Sequence, residues 1–521
     1  MRYLFPLFIV LSCLLTFLSG CEPKEDLVQT SGSLEIGADT VLFDTVFTTI
    51  RTVTKRLWVY NRNRGAVKTS VSLSGTAGTT YSLIINGDAG PTVNEVTIRG
   101  KDSLLVLVRA VLGDNGTAAK PFLLTDEVHF RTNGTDQNAK LVAYGQNAYF
   151  HRADIIAGRR TVIWRSDKPH VIINSPYAQP APNPPVSLGV YVDSGSTLQI
   201  EPGARVYCHA GATIQVNGRL RINATVALAA GDTSAAKRAV VSFQGDRLEP
   251  YYAEVPGQWG GIFFTSSSAG NVIRYTNIKN ASFGASVLNT QNRSPQPDLQ
   301  LSNAVMRNIS GANPNYVGTG LPPGGIIGVL ATISATNCLL TNCGEYAVLG
   351  YGGTFNLNFC TFANYTPSFQ RKTAALTFSN ALEDAGGKVR KFPLVLNLTN
   401  SIVWGSIEDE LFLENNADYL ATLNIRNTLL RTKEYQAPAN ATDKPGLAAP
   451  GLANLVNVDP LFARTTLTSS RPDYRLQDAS PANTPRRPTA PGAAVPATDL
   501  LNLARPANGK TLPSQGAYEH K

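Results

Sequence analysis

The segment Leu396-Asn397-Leu398-Thr399-Asn400 has a residue pattern that recurs along the second half of the sequence. This recurrence is the strongest indication of the fold. Two apolar residues alternate with polar ones, and an asparagine follows. The other copies are Ile273–Asn277, Leu299–Asn303, Ile333–Asn337, Phe355–Phe359 (with Phe in the Asn position) and Leu423–Asn427. Successive copies start 26, 34, 22, 41 and 27 residues apart. A short basal period with variable insertions indicates a stacked solenoid.

The asparagine of each copy is expected at a bend between two strands. Asparagine tolerates a left-handed backbone better than most residues, and its amide can bond to equivalent amides in the coils above and below. Stacked coils lie about 4.8 Å apart and bury together the apolar face that one coil cannot bury alone. We therefore predict a structural ladder, whose members are Asn277, Asn303, Asn337, Asn400 and Asn427.

Three further segments carry a family resemblance. Ser194–Leu198, Glu201–Gly203 and the turn Gly257–Ile262, together with the ladder, resemble the right-handed parallel β-helix proteins of the pectate-lyase-like solenoid superfamily. The resemblance implies a β-helix over residues 186–435, reached through a connecting segment at 151–185. The tail 436–521, with Asp459-Pro460-Leu461-Phe462, looks like the segment that covers the last coil in many bacterial surface β-helix proteins, where it protects an open sheet edge.

The first part of the chain has a different pattern of strands and turns. Residues 33–150 contain six or seven short alternating strands with turn signals between them, which favours a β-sandwich. This stretch resembles the immunoglobulin-like domains that follow the anchor in many bacterial surface proteins. The predicted fold class is therefore all-β: an N-terminal immunoglobulin-like β-sandwich followed by a right-handed parallel β-helix with a C-terminal capping segment.

The N-terminus reads as an export signal. Arg2 precedes an apolar run that ends in Leu18-Ser19-Gly20-Cys21, and the run is shorter than a membrane span requires. This ending resembles the lipobox of bacterial lipoproteins, which implies a signal peptide at 1–20, a lipidated Cys21 and a linker at 21–32. An ordinary signal peptide with a chance cysteine is the alternative.

The residues after Cys21 refine the expected location. Lys24-Glu25-Asp26 looks like the short charged signal that sends lipoproteins to the outer face of the outer membrane. We expect a surface-exposed, lipid-anchored protein of the outer membrane; an anchor facing the periplasm is the alternative.

Composition limits the classes of partner. The 521 residues carry a formal charge of +9, but the basic residues are scattered and no recognised nucleic-acid module occurs. Four cysteines lie in apolar β context without metal-type spacing: Cys208, Cys338, Cys343 and Cys360. We interpret them as small buried residues, with a disulfide or a metal site as alternatives. No cofactor is expected; calcium is possible, but no aspartate ladder on successive coils supports it.

Polysaccharide lyases are the enzyme class to test on a β-helix. A lyase needs a base and a cation that stabilises charge beside a uronate carboxylate. The insertion from Tyr365 to Pro393 supplies Arg371 and Lys372 as candidate catalytic residues, although a solvated charged loop is the favoured interpretation. None of the five histidines has an evident carboxylate partner in the sequence.

Two other segments are candidates for binding. Tyr316, in the loop 308–325, could provide a platform on which a sugar stacks. Glu408-Asp409-Glu410 and Glu414 could bind a cation, with a surface turn as the favoured alternative.

We expect a non-catalytic cell-envelope protein that binds or presents a carbohydrate or another envelope ligand at the cell surface. Its expected partners are the membrane, through the lipid, and a polysaccharide or another envelope component, but no nucleic acid. A lyase acting on uronate polymers and a structural spacer or adhesin are the alternatives, and the oligomeric state stays open.

Overall fold

The structure is a computed structural model, and it divides into two compact units between Asn147 and Ala148. It describes residues 27–48, 52–113, 121–177, 186–228, 230–310, 324–367, 370–383, 387–437, 444–483, 493–507, 509 and 511–520. Cys21 and Tyr316 lie outside these residues. Among the described residues, no helix is both long enough and apolar enough to cross a membrane.

The first unit is a β-sandwich. Its strands are β1 (Glu35–Ile36), β2 (Thr40–Phe47), β3 (Lys55–Tyr60), β4 (Val67–Leu73), β5 (Tyr81–Ile85), β6 (Asp88–Gly90), β7 (Thr92–Ile98), β8 (Ser103–Ala110), β9 (Phe122–Thr132) and β10 (Thr135–Gln146). One sheet has the order β1-β3-β8-β5-β6 and the other β2-β10-β9-β4-β7. All pairs are antiparallel except β2 with β10.

The sandwich core follows from strict alternation along the strands. In β8, for example, every second side chain is buried, and Val106 and Val108 meet Leu83 and Phe43 in one apolar cluster. Alternate residues of a strand point to opposite faces of the sheet, so this pattern fills the space between the two sheets.

The second unit is a parallel β-helix. Its strands are β11 (Tyr149–Arg152), β12 (Asp154–Ile156), β13 (Thr161–Trp164), β14 (His170–Ile173), β15 (Ser175–Tyr177), β16 (Val186–Leu188), β17 (Val190–Val192), β18 (Thr197–Ile200), β19 (Arg205–Cys208), β20 (Thr213–Val216), β21 (Arg219–Ile222), β22 (Val241–Gly245), β23 (Gly261–Phe264), β24 (Asn271–Arg274), β25 (Thr276–Lys279), β26 (Ala285–Leu288), β27 (Asp298–Ser302), β28 (Val305–Ile309), β29 (Gly324–Thr336), β30 (Leu339–Cys343), β31 (Tyr346–Asn358), β32 (Thr361–Asn364), β33 (Leu376–Ser379), β34 (Ala381–Glu383), β35 (Val389–Lys391), β36 (Leu394–Thr399), β37 (Ile402–Gly405), β38 (Leu411–Glu414), β39 (Leu423–Arg426), β40 (Leu429–Leu430) and β41 (Leu455–Val456). Short 3-10 helices lie at Pro250–Tyr252, Asn416–Thr422, Pro450–Leu452 and Pro481–Asn483.

These strands stack in three columns, which we call the first, second and third sheets. The first contains β12-β17-β20-β23-β26 and continues to β33 and β38; the second contains β13-β18-β21-β24-β27 and continues to β36 and β39. β29 and β31 are long enough to run through both columns. The third sheet has the order β11-β14-β19-β22-β25-β28-β30-β32-β37-β40-β41. Outside the hairpins β15–β16 and β34–β35, every pair in these columns is parallel, which confirms the predicted fold class.

The inside of the β-helix is a continuous apolar core. In β18 to β21 alternate residues are buried, and the same alternation carries Phe355 and Phe378 into the interior. Gly328 and Gly350 lie beside these rings, and a Cβ at Gly350 would come within 2.6 Å of both phenylalanines. The glycines leave room for aromatic side chains that fill the coil.

The predicted start of the β-helix at residue 186 is wrong. Parallel pairing begins at Tyr149, where β11 pairs with β14, and β12 and β13 pair with β17 and β18. Within the segment 151–185, the described residues 151–177 therefore contribute to the first coil instead of connecting two domains. Its strands are only three or four residues long and lack an asparagine bend, so the repeat pattern that marks the later coils is missing there.

The tail follows the side of the stack. After Val456 the hairpin β42 (Phe462–Arg464) and β43 (Asp473–Leu476) packs on the outer face of the third sheet, where Leu339, Ile402 and Leu429 point outward. Residues 493–517 then run along the asparagine bends and bond to coils from Asn303 to Asn427. The tail therefore covers several coils from the side, and the expectation that it covers the last coil stays a prediction.

Candidate functional site

The bends between the second and third sheets carry the ladder. Asn303, Asn337, Asn400 and Asn427 all have left-handed backbones, with φ between 48° and 53°. Each also donates its backbone N–H to the next coil, to a carbonyl that directly precedes the neighbouring bend, as Asn400 does to Arg426. The position shared by these residues continues through Phe359, whose φ is 52°.

The assignment of Asn277 to the ladder is wrong by two residues. The register pairs Ile273 with Leu301, so Tyr275 aligns with Asn303, and Tyr275 has the left-handed backbone with φ 43°. Asn277 lies in β25 with an exposed side chain. The error arose because Ile273–Asn277 shows the same alternation and final asparagine as the other copies, but lies two residues out of register with Leu299–Asn303.

The amides of the ladder bond to one another only in part. Asn427 donates to Asn400 over 2.8 Å, and Asn400 donates to Asn358 over 2.8 Å. Asn303 and Asn337 instead donate to the tail carbonyls of Asp499 and Thr498. Part of the ladder therefore joins the coils to the tail by side-chain-to-backbone hydrogen bonds.

A second ladder was missed. Asn280, Asn308 and Asn342 end strands of the third sheet, all with left-handed backbones, and Asn342 donates to Asn308 over 2.7 Å. Asn364 follows at the next level and exchanges two hydrogen bonds with the backbone of Cys343. The sequence signal was present, because an asparagine stands two residues after an inward apolar residue in each of these four strands.

Arg371 is not placed for catalysis. Its side chain is fully buried, and Nη2 donates to Glu410 Oε1 over 2.6 Å and to the Asn364 carbonyl over 2.7 Å. Glu410 in turn accepts from the backbone of Ala375 and Ile407. The pair joins the turn after β32 to the loop between β37 and β38, so the candidate base is an internal structural cation.

The other charged candidates are dispersed. Lys372, next to Arg371 in the sequence, is exposed. Asp409 accepts from the backbone of Lys433 and Glu434 and so closes a turn, while Glu408 forms an exposed ion pair with Lys433. Among the described residues, no group of three or more His, Cys, Asp or Glu side chains is arranged to hold a metal ion.

The cysteines of the β-helix are free and buried. Among the described residues these are Cys208, Cys338, Cys343 and Cys360. Burial raises the pKa of Cys343 to about 12 and raises the pKa of Cys360 well above its ordinary value. The thiols of Cys343 and Cys360 therefore stay protonated at neutral pH, and the buried cysteines pack as small apolar groups.

Four of the five histidines have carboxylate partners, contrary to the expectation from sequence. His151 Nδ1 lies 2.7 Å from Asp154 Oδ2, and the distance from His209 Nδ1 to Asp246 Oδ2 is the same. His151 Nε2 lies 2.9 Å from His170 Nδ1, and His170 Nε2 donates to the Arg165 carbonyl. Burial lowers the pKa of His170 to about 4, so this ring is neutral at pH 7.

A candidate binding site is a cleft on the outer face of the third sheet, which we call the Trp404 cleft. It has a volume of about 910 Å³. Its floor comes from β37 and from the residues that follow β32 and β40, and the tail forms its opposite wall. The lining residues are Tyr365, Trp404, Gly405, Ser406, Glu408, Arg431, Lys433, Gln436, Asn457, Asp459, Leu461, Phe462, Thr465, Leu467 and Gln477.

The parallel register builds this cleft. Asn364 pairs with Gly405, so Tyr365 and Ser406 leave the sheet at adjacent levels, and Val403 pairs with Leu430 directly before Arg431. Arg431 Nη1 donates to the Gly405 carbonyl over 2.6 Å, and its guanidinium carbon lies 5.4 Å from the Trp404 ring centre. An Arg held on an aromatic face is fixed in orientation by the cation–π attraction.

Aromatic packing fixes the other wall. The rings of Tyr365 and Tyr474 stack with centroids 6.3 Å apart, and Phe462 meets Tyr474 edge-on at 5.3 Å. Burial, then the negative charge of Asp459, raises the pKa of Tyr365. The Tyr365 phenol is therefore protonated at neutral pH, which suits it to hydrogen bonding and makes it a poor proton acceptor.

The cleft offers every kind of group that recognises a sugar. Two cations (Arg431, Lys433) face two carboxylates (Glu408, Asp459), and amides line the wall between them. Asn457 is held by bonds to the Thr432 backbone and to Gln436. Sites with aromatic surface and a few fixed polar groups are typical of small-molecule recognition.

Comparisons with known proteins leave the family open. No protein-family model matches the chain, and no curated protein matches it. Among solved structures, the ASH/PapD-like domain of human CEP192 is 13% identical, with a TM-score of 0.16, and the match covers 25% of this chain and 94% of that one. A family 123 glycoside hydrolase from Clostridium perfringens is 8% identical, with a TM-score of 0.17, and the match covers 23% of this chain and 30% of that one. Both TM-scores are too low to bear on function.

Proposed function

We propose that this chain is a lipid-anchored protein of the bacterial cell envelope whose β-helix binds a polysaccharide in the Trp404 cleft. The observation that carries the proposal is the cleft itself: about 910 Å³, with Trp404, Tyr365 and Phe462 among fixed amides and paired charges. The proposed kinship with the pectate-lyase-like solenoid superfamily rests on the repeat and on the parallel stack.

Arg431 is the residue on which binding should depend most. It is held over Trp404 and bonded to the Gly405 carbonyl, so its remaining N–H groups are oriented without loss of further side-chain freedom. Hydrogen bonds that involve a charged donor are roughly twice as strong as neutral ones. We therefore assign Arg431 the role of an oriented donor to sugar hydroxyl or carboxylate oxygens.

A glycan array with the mature chain tests this proposal. The wild-type protein should bind at least one polysaccharide, and Arg431→Gln should weaken that binding at least tenfold, equivalent to about 1.4 kcal/mol. Lys433→Ala should weaken it less, because Lys433 is exposed and forms an exposed ion pair with Glu408. Lys372→Ala, an exposed lysine outside the cleft, is the matched control and should bind like the wild type.

An array without a bound glycan would contradict the binding proposal and would favour the structural spacer or adhesin. The lyase alternative now depends on Arg431 and Lys433, because Arg371 is buried. Uronate polymers incubated with the protein should yield no unsaturated product if the cleft only binds. If the wild type forms unsaturated product and Arg431→Gln does not, the protein is a lyase and the binding proposal is wrong.

The anchor is tested separately. The proposal of lipidation rests on the Leu18–Cys21 ending, and Cys21→Ser should abolish incorporation of a labelled fatty acid and release the protein from the membrane fraction. Protease added to intact cells should digest the wild-type protein if the anchor faces outward. Full protection of the protein in intact cells would support the periplasm-facing alternative.

A further inference from the structure

A second groove lies on the outer face of the second sheet. The register places Gln300, Ser334, Asn356, Asn397 and Asn424 in one outward column, at successive levels of the stack. The neighbouring outward column contains Ser302, Thr336, Asn358, Thr399 and Arg426. Adjacent levels are about 4.8 Å apart, so the two columns present polar groups at a regular spacing.

The amides of the first column bond along it. Asn424 donates to Asn397 over 3.1 Å, Asn397 donates to Asn356 over 2.9 Å, and Asn356 donates to Ser334 Oγ over 3.3 Å. A side-chain amide has two N–H donors and two acceptor lone pairs. Each bond along the column uses one donor, and it also fixes the orientation in which the second donor projects from the sheet.

The groove over these columns has a volume of about 460 Å³, and none of its lining residues in the described part of the chain is charged. We call it the amide groove; its lining residues are Ser334, Thr336, Asn356, Leu357, Asn358, Asn397, Thr399, Asn424, Ala493 and Ala494. The tail forms one wall, where the Ala494 carbonyl accepts from Asn358 over 2.7 Å. Arg426 borders the end of the groove and donates to Asn424.

We propose that the amide groove is a second binding site, for a neutral, hydroxyl-rich chain such as an uncharged glycan that lies along the column across successive coils. A sugar hydroxyl both donates and accepts, and the fixed amides and hydroxyls of the groove offer both functions. Between Ser334 and Asn424 an anionic chain would meet no cation among the described lining residues, and its charge would lose hydration there without compensation. This site is separate from the Trp404 cleft and does not rest on the function proposed there.

The test measures binding of linear neutral oligosaccharides of glucose, mannose and xylose to the full mature chain. The wild type should bind at least one of them, and Asn397→Asp should weaken that binding at least tenfold, because it replaces a donor by a charged acceptor in the middle of the column. Asn277→Asp, an exposed asparagine outside the groove, is the matched control and should bind like the wild type. Arg431→Gln, in the Trp404 cleft, should also leave this binding unchanged.

Asn424→Asp, at the end of the column, provides a second variant if Asn397→Asp lowers the thermal midpoint. The proposal is overturned if no neutral oligosaccharide binds, or if both groove variants bind as the wild type does. It is also overturned if Arg431→Gln alone abolishes the binding, which would leave the Trp404 cleft as the site and keep the first proposal intact.

Discussion

At the scale of single residues, the bends explain what could be predicted and what could not. A left-handed backbone favours asparagine, so Asn303, Asn337, Asn400 and Asn427 stood out in the sequence. The same position also accepts Tyr275 and Phe359 because the stacked coils hold the backbone there, and no local preference marks those two residues. The register error at Asn277 follows from this tolerance.

Asn400→Ala should lower the free energy of unfolding by about 2 kcal/mol. Alanine is strained by roughly 1–2 kcal/mol in the left-handed region, and the substitution also removes the bond to Asn358. Asn400→Gly should cost less, since glycine adopts this backbone freely. The midpoint of thermal unfolding, followed by circular dichroism, measures the difference.

Asn277→Ala is the control for this series and should change the midpoint by less than the error of the measurement, because Asn277 is exposed in mid-strand. A larger effect of Asn277→Ala than of Asn400→Ala would show that the corrected register is wrong.

Arg371→Met should destabilise the β-helix by about 3–5 kcal/mol, because it leaves the fully buried Glu410 carboxylate without its cation. The double variant Arg371→Met, Glu410→Leu should recover much of this loss, because no buried charge then remains unpaired. Chemical denaturation of the three proteins measures the effect. If Arg371→Met is as stable as the wild type, Arg371 is exposed and the internal pair does not exist.

At the scale of elements, the first coil shows that a coil without the repeat pattern could not be predicted from the sequence. The strands β11 to β14 pair in parallel with the later coils but contain no recurring asparagine, so periodicity could not identify them. The rings of Trp164 and His170 stack at 4.6 Å, and His151 stacks on Trp164 at 4.2 Å. His151 and His170 are 19 residues apart and come together only through the coil, so their contact was not predictable, whereas the His151–Asp154 pair is local in sequence.

The first coil should lose stability in acid. Burial lowers the pKa of His170 to about 4 from an ordinary value of 6.5, so the unfolded chain binds more protons than the folded chain between these pH values. The contribution of neutral His170 to the free energy of unfolding is fully present above pH 6.5. It declines as the pH falls towards 4, by at most about 3 kcal/mol.

Thermal midpoints of the wild type and of His170→Gln, measured across this pH range, isolate the contribution. The wild type should lose more stability than the variant as the pH falls. The lowered pKa of Asp154 acts in the same direction in both proteins and largely cancels from the difference. Equal slopes for the two proteins would contradict a buried neutral His170.

At the scale of the whole second unit, the alternation of apolar residues and the repeat were enough to predict stacked parallel coils, whereas the path of the tail was not. Arg505 is buried, lies over the Phe359 ring and donates to the carbonyls of Ser514 and Gly516. Burial lowers the pKa of Arg505 to about 10, which leaves it charged at neutral pH. The Trp404 cleft was missed because its wall belongs to this tail.

Truncation of the chain after Asn483 should lower the thermal midpoint by several degrees and increase cleavage by protease. It removes the backbone acceptors of Asn303, Asn337 and Asn358, each worth about 1 kcal/mol, and uncovers apolar residues of the third sheet. Arg475→Ala, an exposed side chain in the retained hairpin, is the control and should behave as the wild type. A truncated protein as stable and as protease-resistant as the intact one would contradict the claim that the tail stabilises the coils through these hydrogen bonds.

Hydrogen–deuterium exchange, with and without the polysaccharide that the array identifies, tests most directly where this protein binds. We predict slower exchange in the peptides that contain Trp404–Glu408 and Arg431–Gln436, with little change elsewhere on the first and third sheets. Protection that avoids both peptides, or exchange that does not respond to the bound polysaccharide, would contradict the assignment of function to the Trp404 cleft.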